Sequence, residues 1–402
     1  MTNGDIFSGK KDDKKISLPI KRNLPVLVTS AFLLNGAFRI TQTLQQPLIL
    51  YLEGSIKVVG VVVSISTFSM LAAQAIFGEF SDAIGRRLPM LIASLLLLTA
   101  SLLFLTATHW VVLIPAVLLM GFAFALNQPA AAAATAESVL ERRRGRAFAY
   151  RSSGRYMAGV IVSILAYIII QRRTLQSAFF ICTIFALANL CLIFFLLKEM
   201  HFITHDFSPS SFLQNLRQIW RIPSNLKKLY FFVALLDTFA FETGWSLIYA
   251  LLTEYQGITS QLIVLYALIQ SLVGGLFQLG GVAGRLADWN RKWTLVLADA
   301  IGLPVILICA LFPNERTILA AFVGMGFATG LFVPTLYAFV VDHVSPERTA
   351  SEFGKLWGAR GIVSLFPPIL GGFLAATYGY SAPLLVNVFL GILNIIFLLW
   401  KF

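Results

Sequence analysis

Apolar residues fall along this chain in blocks of about twenty, parted by short polar breaks. A helix needs roughly 20 apolar residues to cross the hydrocarbon core of a bilayer. Breaking the chain at charged or Gly/Pro-marked segments predicts about twelve spans. They lie at residues 24–51, 55–77, 88–108, 110–136, 147–170, 177–197, 229–252, 260–283, 293–312, 316–341, 352–376 and 381–400. Backbone groups in lipid must find their hydrogen bonds within the segment, so runs of this length read as helices. One long polar segment, residues 198–228, interrupts the series. Within it, SSFLQNLRQIW spaces Phe212, Leu213, Leu216, Ile219 and Trp220 as an amphipathic surface helix would. The expected organisation is a tail (1–23), a six-helix bundle (24–197), this linker (198–228) and a second six-helix bundle (229–402).

Composition agrees with an all-α membrane protein. Hydrophobic residues make up 58% and charged residues 12% of the 402 positions, too little charge to coat a water-exposed surface. The net charge of +12 does not point to nucleic acid, because the cations sit between spans and alternate. Lys10, Lys11, Arg86, Arg87, Arg142–Arg144, Lys227, Arg291 and Arg348 fall in one set of loops; Lys57, Arg172, Arg173 and Arg316 fall in the other. By the positive-inside rule the first set, with both termini, is cytoplasmic, as in a plasma or inner membrane protein. The first apolar run is too long for a signal-peptide core and is expected to stay as a span. Cys182, Cys191 and Cys309 all lie in apolar runs and offer neither a disulfide framework nor a metal motif.

The halves repeat each other. Gly121-Phe122-Ala123 recurs 205 positions later as Gly326-Phe327-Ala328, and at the same offset Pro129 meets Pro334, Glu137 meets Asp342 and Arg155 meets Arg360. Gly78 and Asp82 find Gly284 and Asp288 one position further on. Such duplication predicts two bundles that rock about a central site.

Gly78-x3-Asp82-x2-Gly85-Arg86-Arg87, between spans two and three, resembles the loop signature of the major facilitator superfamily, and Gly284 to Lys292 resembles its second-half copy. Glu137 followed by Arg144 resembles that superfamily's Glu-x6-Arg element. The resemblance covers the whole chain and implies a secondary transporter in which these residues latch the outward-open state. A physical reading supports a latch. Asp82 can cap a helix N-terminus, Arg86 and Arg87 can pair with Glu137, and bonds made in only one state bias a two-state equilibrium. Arg155 and Arg360 read as gate pairs, with Glu137 and Asp342 as partners. The alternative is that the arginines merely fix topology.

Polar side chains at membrane depth mark a cavity or hold helices together. Span one carries Asn35, Arg39, Gln42 and Gln46 on one face. Span seven carries Thr238, Glu242, Trp245, Ser246 and Tyr249 on one face. The resemblance puts both spans on the central cavity, where Arg39 and Glu242 would face each other or share a charged cargo. Glu242 is the leading proton-coupling candidate, since cargo competing for Arg39 would make its protonation depend on occupancy. Asp237 ranks second, and Asp299 reads as a packing or capping residue. Asn127, Gln128, Tyr156 and Gln270 are further cavity candidates.

Two motifs of proton-coupled drug exporters in the superfamily are missing. Val117 stands where an arginine would precede Gly121, and span five lacks the Gly-Pro-x2-Gly-Gly element. No Walker run exists, so transport would be gradient-driven or facilitated. An enzyme is disfavoured because His109, His201, His205 and His343 all lie at span ends or in loops. The reading is therefore a monomeric solute transporter working by alternating access, with a proton or another ion as partner and no cofactor or metal. Efflux by antiport is preferred to uptake or uniport. A transporter-fold sensor that moves nothing is the alternative from another class.

Overall fold

The computed structural model describes residues 23–139, 144–199, 226–279, 285–286, 289–343 and 349–402. The surface helix expected within 198–228, and the motif positions Gly284 and Asp288, lie outside the described residues.

The described residues form twelve helical spans. In the first half these are α1 (Asn23–Tyr51), α2 (Ile56–Ile84), α3 (Arg87–Thr106), α4 (Leu113–Glu137), α5 (Arg144–Arg172) and α6 (Phe179–Leu196). In the second half they are α7a (Lys227–Glu242) with α7b (Trp245–Gln256), α8 (Ser260–Leu279), α9 (Arg291–Leu311), α10 (Glu315–Asp342), α11a (Thr349–Val363) with α11b (Pro367–Tyr378), and α12 (Ser381–Lys401). A 29-residue helix such as α1 is about 43 Å long, enough to span hydrocarbon and headgroups. Asn23 and Phe402, the first and last described residues, lie at one end of the bundle, called here the basic end. There the Asn23 amide bridges to the Lys198 backbone, donating to its O at 2.9 Å and accepting from its N at 3.2 Å.

Spans seven and eleven are broken, which an apolar-run reading cannot anticipate. Between α7a and α7b the axis bends by 44° at Thr243-Gly244. Asn387 of α12 accepts the Trp245 amide N–H at 2.9 Å, replacing the helical bond lost at the break. Gly244 is needed because a β-carbon there would stand 2.5 Å from the Pro383 carbonyl oxygen. Span eleven breaks before Pro367-Pro368, whose rings cannot continue the preceding helix.

The duplication is visible in packing. Gly121 of α4 packs on Ser69 of α2, and Gly326 of α10 packs on Gln270 and Val273 of α8. Among the described residues the halves meet chiefly along two helix pairs, α2 with α11 and α5 with α8. Gly60 of α2 lies against the Pro368 carbonyl of α11b, and Gly361 of α11a against Ala72 of α2. Gly159 of α5 faces Ser271 of α8, and Tyr156 faces Gly275.

Candidate functional site

The seam between the halves carries polar groups at two levels. Farthest from the basic end, Gln46 of α1 clamps α7b. Its Nε2 donates to the Ser246 carbonyl at 2.6 Å, and its Oε1 accepts from Ala250 N at 2.9 Å. Gln46 is 3% exposed, so this amide joins the halves and does not line open space.

In the middle of the seam lies a cluster of arginines. A β-carbon added to Gly159 would stand 4.0 Å from Arg39 Nε and 3.5 Å from Ser271 Oγ, which places the guanidinium at the α5–α8 contact. Arg39 acts electrostatically on Arg155, Tyr156 and Tyr249. Arg155 acts also on Tyr337 of α10 and on Arg151. Arg151 donates to Gln128 Oε1 at 3.2 Å, and Tyr156 OH donates to Gln278 Oε1 of α8. No carboxylate pairs with Arg39 or Arg155 among the described residues.

The acids sit in the other half. Asp237 of α7a pairs with Arg360 of α11a at 2.8 Å, both nearly buried, and the Arg360 guanidinium lies 5.1 Å from the Trp357 ring centroid. Glu242, one turn on and beside the α7 break, feels Arg360, Asp237 and the Ser246 hydroxyl. Arg360 therefore acts on two carboxyls. Asp237 and Arg360 also border a cavity of about 140 Å³ inside the second half. Asp299 of α9 and Asn387 and Asn394 of α12 line it as well, and Asp299 Oδ2 and Asn394 Oδ1 lack hydrogen-bond partners.

Two expected contacts are not found among the described residues. Arg39 and Glu242 do not face each other: the charged groups that act on Glu242 are Arg360 and Asp237, in its own half. Arg155 and Arg360 do not pair with Glu137 and Asp342: Arg155 lies well within α5, and Arg360, in the last turn of α11a, pairs with Asp237. Asp299 borders the cavity. Among the cavity candidates, Asn35 bonds back to Ala31 O at 2.6 Å and Thr238 to Val233 O at 3.3 Å, both within their own helices. Trp245 is buried against Phe322, with ring centroids 5.2 Å apart. Asn127 is buried with an unpaired Oδ1, while Gln42, Ser246 and Gln270 are half-buried.

At the basic end, Arg86 grips Glu137 with Nε at 3.1 Å and Nη2 at 3.0 Å, and donates to Ser81 Oγ at 3.2 Å. Gly85 ends α2 at φ 92°, a left-handed turn that glycine adopts without strain. The turn presents the next two amides to Glu199, whose carboxylate accepts from Arg86 N and Arg87 N, each at 2.9 Å. An acid at a helix start is favoured by the helix dipole. Sequence reasoning missed Glu199, because it lies 113 positions away and outside any motif. Arg87 does not reach Glu137; it donates to the Phe194 carbonyl instead. Gly78 lies in the α2 backbone, and the side chains of Asp82 and Arg144 lie outside the described ones. In the second half Arg291 pairs with Asp342 and donates to Ala338 O at 3.0 Å.

Comparison with known proteins places this arrangement. Multidrug resistance protein MdtG of Proteus mirabilis (strain HI4320) is 24% identical over 346 residues, 80% of each chain. The methylenomycin A resistance protein of Streptomyces coelicolor is 26% identical over 141 residues, covering 35% of this chain and 28% of that one. The crystal structure of the human organic anion transporter MFSD10 (TETRAN) superposes with a TM-score of 0.69 at 18% identity, over 95% of this chain and all of that one. The sequence model described as Major Facilitator Superfamily matches residues 27–282 and 230–402. Twelve spans in two related halves, met by a family match along nearly the whole chain, show that this protein belongs to the Major Facilitator Superfamily.

Proposed function

We propose that this transporter exports a small organic solute in exchange for protons, with Glu242 as the proton-carrying group. Family membership makes the chain a transporter rather than an enzyme. The observation that carries the coupling is that Asp237 pairs with Arg360 while Glu242, beside them, lies in the field of both with no ion-pair partner of its own among the described residues. One guanidinium cannot balance two carboxylates in a low-dielectric interior, so the second needs a proton or a cationic partner. Glu242 also adjoins the Thr243-Gly244 break, where a change of bend would alter its distance from Arg360. Coupling between protonation and conformation needs such an element.

In this reading the basic end is cytoplasmic and the protein acts as a monomer. The bundles 24–197 and 229–402 rock about the seam. Arg86–Glu137 and Arg291–Asp342, with Gly85 and Asp82, hold the cytoplasmic side closed in one state. The outward direction is supported by the resistance names of relatives such as MdtG and the methylenomycin A protein.

The test is proton movement. Purified protein in liposomes with an internal pH dye would meet a panel of organic anions, cationic drugs, sugars and amino acids. A cargo-dependent pH change that disappears in Glu242→Gln is expected. Counterflow of a labelled solute with no pH change would overturn the coupling and leave a uniporter or exchanger.

A further inference from the structure

We propose that Arg39 and Arg155 recognise an anionic group on the cargo, a carboxylate, sulfonate or phosphate borne on an organic solute. The inference rests on reading the seam as the cargo path.

Arg39 Nε lies 4.0 Å from where a β-carbon of Gly159 would stand, and Arg155 is one turn before Gly159 on the same face of α5, so the two guanidiniums are neighbours near the middle of α1 and α5. Arg151 adds a third positive charge next to Arg155. Among the described residues neither Arg39 nor Arg155 has an ion-pair or hydrogen-bond partner for its side chain. A single buried arginine is costly at this depth, and like charges in proximity raise that cost. The acids that could neutralise them are in the other half, gathered about Arg360. Clustered positive charge without a carboxylate beside it is suited to an anionic partner.

The surroundings narrow its chemistry. Arginine offers only donors, in a planar fork that matches the paired oxygens of a carboxylate or the oxygens of phosphate and sulfonate. Gln128 Oε1 accepts from Arg151 and Gln278 Oε1 from Tyr156, so these two amide oxygens are engaged. The flanking aromatic rings are Tyr156 of α5, Tyr249 of α7b and Tyr337 of α10. Such rings suit a solute with an apolar or aromatic body behind its charged group. Because the flank comes from both halves, an anion held by Arg39 and Arg155 would touch each half and respond to their relative motion.

The test uses purified full-length protein in detergent and four matched probes: benzoate, benzenesulfonate, benzyl alcohol and benzylammonium. Thermal stabilisation is read against probe concentration for the wild type, Arg39→Gln, Arg155→Gln and Arg39→Lys. Benzoate or benzenesulfonate should raise the melting temperature of the wild type, while the alcohol and the ammonium should not. Either glutamine variant should weaken anion binding about ten- to a hundredfold, as loss of charge-assisted hydrogen bonds implies. Arg39→Lys keeps the charge without the fork and should fall between. Without ligand, Arg155→Gln should melt no lower than the wild type, since it relieves repulsion; a purely structural arginine would lower it. Equal binding of benzyl alcohol, no response to either anion, or unchanged anion affinity in both glutamine variants would overturn the proposal. So would stabilisation by phosphatidylglycerol alone, which would mark a lipid headgroup site. Should a variant fail to fold, the wild-type selectivity still decides. The assay involves no gradient, so anion binding can stand if proton coupling fails, and can fall while coupling stands.

Discussion

Arg291 at the start of α9 pairs with Asp342 at the end of α10. Arg86 and Glu137, each 205 positions earlier, make the same pair between α3 and α4. The duplication has kept an interaction at the basic end of each half while most residues around it diverged.

The two pairs differ in burial, and this sets the first expectation. The Arg86 side chain is 8% exposed and that of Arg291 is 30% exposed. Breaking a buried pair strands a charge at a cost of about 3–5 kcal/mol; the partly open Glu137 reduces that to about 1–3. An exposed pair is worth roughly 0.2–1 kcal/mol. Arg86→Gln should therefore lower the melting temperature in detergent clearly more than Arg291→Gln. Equal losses would mean that the first-half pair carries no special weight.

A second expectation concerns the break in span seven. Asn387→Ala leaves the buried Trp245 amide without an acceptor, at about 1–3 kcal/mol. Asn387→Asp keeps an acceptor in place and should retain more stability. The comparison is made by thermal unfolding. If alanine matched the wild type, the break would be held by Gly244 and Pro383 packing alone.

The spans were legible in the sequence because a bilayer imposes one length and one polarity on every crossing segment. The Arg86–Glu137 pair was legible for a different reason: a local motif held it. Arg291–Asp342 was half visible, since the offset that matched Glu137 to Asp342 also matches Arg86 to Arg291. The assignment of Glu242 to Arg39 failed on helix rotation. Both residues lie near the middle of their spans, but spacing along one helix does not fix which neighbour its polar face meets. The π-helical turn at Phe231–Leu236 and the break at Gly244 further shift the register of α7. Glu199 and Asn387 act on backbone amides, and no side-chain pattern announces such contacts.

The Asp237–Arg360 pair offers a third expectation, about coupled charges. Arg360→Gln leaves Asp237 and Glu242 together without a cation and should destabilise strongly, by about 3–5 kcal/mol. Adding Asp237→Asn removes one of the stranded acids and should restore much of that loss. Melting temperatures of the two singles and the double form the cycle. A double variant as unstable as the sum of the singles would show that the two residues act independently.

The last expectation joins the proton and the anion. If one monoanion leaves for each proton that enters, a cycle carries two positive charges inward. An interior potential of −100 mV would then drive export by about 4.6 kcal/mol, twice the contribution for a neutral cargo. Proteoliposomes loaded with labelled benzenesulfonate, with equal pH on both sides, can be given a potassium diffusion potential of either sign. An inside-negative potential should speed exit and an inside-positive one should slow it. Glu242→Gln should reduce this response, because the proton's share of the charge is lost while the anion's remains. Exit rates indifferent to the sign of the potential would exclude this stoichiometry. They would leave an electroneutral exchange, in which Arg39 and Arg155 trade one anion for another across the seam.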